Sequence, residues 1–103
     1  MGGQIAFVDF LHSAANDSAP PAGLTGALQA LWFDHRGQWE VAHNLAQAAG
    51  GKEGAWVHAY LHRKEGDEAN AAYWYRLAVR PTVSSSLSTE WEQIARALLA
   101  GTD

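Results

Sequence analysis

The chain has 103 residues, 48% of them hydrophobic and 17% charged, with five tryptophans, no cysteine and a formal net charge of −4. That length supports one core and not two, and the apolar share excludes intrinsic disorder. The absence of cysteine excludes disulfides, thiolate metal sites and cysteine catalysis, and seven scattered basic residues argue against a nucleic-acid binder that must neutralise phosphates.

In chain order, Met1-Gly2-Gly3 reads as a frayed end. No basic residue precedes the apolar run Ile5–Val8, and Asp9 interrupts it, so no secretory signal is expected and the cytoplasm is the expected location. No stretch approaches the length of a membrane span. Phe7, Phe10 and Leu11 recur at i, i+3 and i+4, which suggests a short flanking helix over 5–13. Asn16 to Gly23, with two prolines, reads as a connector. Leu24, Leu28, Leu31 and Trp32 form one helical stripe that ends near His35, before Gly37. A second helix is expected over Gln38–Ala49, stopped by Gly50-Gly51, and a third over Glu53–Glu65. A fourth should run from Asp67 to about Arg80, where Pro81 prevents continuation. After a serine linker at 84–86, the last helix is expected over 88–100, opened by Ser88 or by Thr89 with capping-box spacing to Glu92. The fold class expected for residues 1–103 is therefore a single all-α domain of five to six helices.

An internal repeat lies within this pattern. Setting Gly37 on Gly66, an offset of 29 residues, also sets Ala30 on Ala59, Ala42 on Ala71 and Ala49 on Ala78. Glycine permits a tight reversal, and the matched alanines let paired helices approach closely. Two helix-turn-helix units over 24–80 follow. The segment from Gly66-Asp67 to Ala78, with Ala71, Tyr75 and Ala78 in register, resembles the second half of a tetratricopeptide or Sel1-like repeat. The stretch Ala55-Trp56-Val57-His58-Ala59-Tyr60-Leu61-His62 is also similar to one in small bacterial proteins of unassigned function. The repeat resemblance implies stacked hairpins and a groove lined from an inner helix face. Trp56, Tyr60 and Arg63 occupy such a face, and Trp74 is added as a groove candidate. These residue types are enriched at binding hot spots, so the expected function is a non-catalytic module that binds a protein, a peptide or a second copy of itself.

The rival expectation is a divalent-metal site, structural or part of a simple hydrolase. His58 and His62 stand at i, i+4 on one helix, and Glu40 and His43 at i, i+3 on the preceding one. Both spacings place ligands on one helical face, and an antiparallel hairpin closed by Gly50-Gly51 brings the two faces together. The bland alternative is three histidines hydrogen-bonded between helices, with Glu40 in solvent. No phosphate loop, nucleophile elbow or His-Glu-x-x-His motif is present, and no catalytic residue or other cofactor is expected.

Overall fold

The computed structural model describes residues 5–101, and the frayed start expected at Met1–Gly3 lies outside them. The all-α expectation holds. The helices are α1 (Phe7–Asn16), α2 (Gly26–His35), α3 (Trp39–Ala49), α4 (Gly51–Lys64), α5 (Glu68–Ala78) and α6 (Leu87–Leu99), with no strand among the described residues. No helix is long and apolar enough to cross a membrane.

Polar side chains set three of the helix starts. Thr25 Oγ1 accepts from the Leu28 amide, Asp67 Oδ1 from the Asn70 amide, and Ser86 Oγ from the Thr89 amide at 3.1 Å. The last of these moves the start of α6 forward from the expected Ser88 or Thr89. Ser86 has the extended backbone of a cap, at φ −64° and ψ 156°, and Leu87 begins the helix. Helix α5 ends at Ala78, earlier than expected, because Val79 turns into the left-handed region at φ 58° and the residue before Pro81 is disfavoured in helical conformation. Helix α1 runs three residues beyond Ser13, where Asn16 Nδ2 donates to the His12 carbonyl.

The helices pair as α2 with α3 and α4 with α5, and the two hairpins meet through α3 and α4. Their turns match at the 29-residue offset. Gly37 and Gly66 have φ of 80° and 90°, and their amides donate to Asp34 and Arg63 carbonyls; Gln38 and Asp67 then donate to Phe33 and His62. Positive φ is what an L side chain would resist at both positions. The α3–α4 approach is also set by a missing side chain: a Cβ on Gly54 would lie 2.8 Å from the Ala46 carbonyl oxygen.

Helix α4 is the centre of the molecule. Every residue from Gly54 to His62 is buried, because α2, α3, α5 and α6 all pack on it. Helices α1 and α6 close the remaining side of α2, where Trp91 stacks on Phe10 at 5.7 Å and donates its indole N–H to the Leu31 carbonyl at 3.0 Å. A helix surrounded in this way has no face reserved for solvent, so its polar side chains must find partners inside the protein.

Candidate metal centre

Helix α4 carries two kinds of polar side chain on two faces. On one, His58 and His62 are one turn apart, and α3 brings His43 against them. The ring centroids are 4.5 Å apart for His43 and His58, 5.1 Å for His43 and His62, and 4.8 Å for His58 and His62. One nitrogen from each ring falls within 4.8 Å of one from each of the others. His58 and His62 are buried and His43 is partly so.

Two indoles enclose the cluster. Trp39 stacks on His43 at 4.9 Å and is anchored by its N–H to the Leu61 carbonyl at 2.9 Å. Trp74, from α5, stacks on His58 at 3.9 Å. Burial, then the neighbouring His43 and His62, push the His58 pKa down to about 4, so this ring is neutral at pH 7. Its Nδ1 is buried and has no hydrogen-bond partner. His62 differs: its Nδ1 pairs with Glu65 Oε2 at 2.9 Å, which leaves Nε2 as the nitrogen the carboxylate does not engage. A carboxylate holding the far nitrogen of an imidazole fixes the tautomer and orientation that metal ligands require.

A cluster of three imidazoles suits zinc, copper or nickel. Zinc holds imidazole nitrogens at about 2.0–2.1 Å in a tetrahedral shell. His43 is the least buried of the three.

The structure thus unites His43, His58 and His62, as the spacing suggests, but not Glu40. Glu40 is exposed on the first turn of α3 and belongs to no metal-competent group among the described residues. The acid at the cluster is Glu65, which the sequence signals only through its i, i+3 spacing from His62. A second group, His62 with exposed Glu65 and Asp67, shares the same histidine. There Glu65 already holds His62 Nδ1.

The groove expectation is corrected. Trp56 is 8% exposed and Tyr60 2%, and the Arg80 guanidinium lies 3.7 Å above the Trp56 ring. Arg63 donates to Glu90 Oε1 at 2.8 Å and to the Ser85 carbonyl. Helix α6 and the linker before it therefore cover this face, and Trp74 lies apart from it, against His58. What replaces the groove is a pair of buried carboxylates. Glu90 accepts from Arg63 and, at 2.5 Å, from the Tyr75 hydroxyl; Asp34 accepts from the Tyr60 hydroxyl at 3.0 Å and from Lys64 Nζ at 2.9 Å. Burial first, then the adjacent carboxylate, raises both tyrosine pKa values well above the usual phenol range, so both remain donors.

Comparison of the chain with protein-family models, with curated proteins and with solved structures finds no match.

Proposed function

We propose that this domain binds a divalent transition-metal ion through His43, His58 and His62, with zinc the reference case. The observation that carries the reading is His58 Nδ1, a buried acceptor or donor without a partner, beside two further imidazoles. An unsatisfied buried polar atom costs about 1–3 kcal/mol, and an ion bound through His58 Nδ1 would remove that cost. Glu65 supports the same reading, since it orients His62. Three protein ligands leave a fourth position for water or another small ligand, the arrangement of reactive zinc sites rather than closed structural ones.

The test uses tag-free protein stripped with chelator and titrated with zinc, cobalt(II) and nickel. Binding of one ion is expected, with a melting temperature raised by about 10 °C when free metal reaches about a hundred times Kd. His62→Ala should weaken binding by at least about tenfold. A melting temperature that ignores all three metals overturns the proposal.

A further inference from the structure

A cavity lies away from the histidine cluster. It occupies about 410 Å³ where α1, α2, α4 and α6 meet, within the range of small-molecule sites. Its sides are Phe7, Leu11, Leu87 and Trp91, and its polar end is Asp34 with Tyr60 and Lys64. Trp91 has already given its only N–H to Leu31, so it offers the cavity an aromatic surface and no donor.

The polar end has an asymmetry. Asp34 is 2% exposed, and Tyr60 serves its Oδ2 from inside the core. Its Oδ1 is served by Lys64, whose side chain is 36% exposed and reaches in from the rim. The ammonium of Lys64 therefore fills a position that another ammonium can take with no change in the charge at Asp34. Such an exchange returns a long, entropically costly side chain to water. A ligand that carries its ammonium on an apolar ring also buries that ring against Phe7, Leu87 and Trp91. An anion would have to take Lys64 from Asp34 and leave that buried carboxylate without its cation.

We infer that this cavity binds a small aromatic amine, whose ammonium displaces Lys64 from Asp34. The inference involves none of the clustered histidines and stands or falls separately from the metal reading.

Three probes of similar size test it on the full chain by amide and indole NMR titration: 2-phenylethylamine, 2-phenylethanol and 3-phenylpropionate. The amine is expected to shift the Phe7 and Trp91 resonances saturably and to bind about tenfold more tightly than the alcohol, with the propionate weakest. Lys64→Met removes the competing ammonium, so it should tighten amine binding several-fold and leave the alcohol unchanged. Asp34→Asn should erase the preference for the amine; if that variant does not fold, the three probes on the wild-type chain and on Lys64→Met decide. The inference is overturned by an absence of saturable shifts, by equal affinity for amine and alcohol, by preference for the propionate, or by weaker amine binding in Lys64→Met.

Discussion

The two polar clusters on α4 are both interhelical and buried, yet they are finished to different degrees. Around Glu90 both carboxylate oxygens have a donor, Arg63 for one and Tyr75 for the other. Around His58 the partner is missing. A fold that needed only rigidity from its histidines would gain by satisfying that nitrogen or by replacing the ring with an apolar one. The contrast separates polar groups that join helices from polar groups that await a ligand, and each substitution below asks whether that separation is real.

The largest effect is expected at the finished cluster. Glu90→Ala leaves the Arg63 guanidinium, only 15% exposed, without its anion and the Tyr75 hydroxyl without its acceptor. Breaking one side of a buried ion pair costs about 3–5 kcal/mol, a large part of the total stability of a domain this size. Urea denaturation at neutral pH measures it. A loss below about 1 kcal/mol would mean that Glu90 does not join α4, α5 and α6, and the comparison would lose one of its two terms.

Acid should act next, and on the other cluster. The folded protein holds His58 neutral down to about pH 4, whereas an unfolded histidine takes a proton near pH 6.5. Between those values the unfolded chain binds more protons, so stability falls as pH falls. The metal-free domain is expected to lose roughly 2–3 kcal/mol between pH 7 and pH 4 from this source. His43, His62 and the Trp74 ring are the groups that face His58 and set the effect. Denaturation curves across that range, taken with chelator present, give the slope.

Much of this architecture is legible in the amino-acid order, because helix periodicity and glycine turns are local. The stripe through Leu28, Leu31 and Trp32 and the matched reversals at Gly37 and Gly66 need no knowledge of distant residues. The three histidines are legible for the same reason, since a short hairpin constrains which faces meet. Partners contributed by remote helices are not. Nothing near Tyr60 or Arg63 indicates that Asp34 and Glu90, 26 and 27 residues away, neutralise that face, so an aromatic and arginine-bearing stripe reads as an open groove. Glu40 misleads in the complementary way: its spacing from His43 is right, but the first turn of α3 points it to solvent.

Glu65→Gln sharpens the comparison at smaller magnitude. Glu65 is 38% exposed, so the neutral amide should leave the metal-free fold within about 0.5 kcal/mol of wild type. Its effect belongs to the ligand state. With a weaker acceptor on His62 Nδ1, metal affinity is expected to fall about tenfold, the usual range for loss of such a partner. Calorimetric titration with zinc checks this, and equal affinity would remove Glu65 from any role at the site.

The smallest change in stability carries the most information. His58→Phe keeps a ring stacked between Trp74 and His62, 3.9 and 4.8 Å away, and removes the unsatisfied nitrogen. Relief of an unpaired polar atom and slight crowding oppose each other, so the metal-free variant should lie within about 1 kcal/mol of wild type at pH 7. At pH 5 it should be the more stable of the two, because the phenyl ring has no proton to refuse. Metal-dependent stabilisation should vanish. A cluster that served only to hold helices together would respond as Glu90 does, with a clear loss at neutral pH. Near-neutral stability, a flattened acid slope and loss of the metal response together would distinguish a ligand site from a joint between helices.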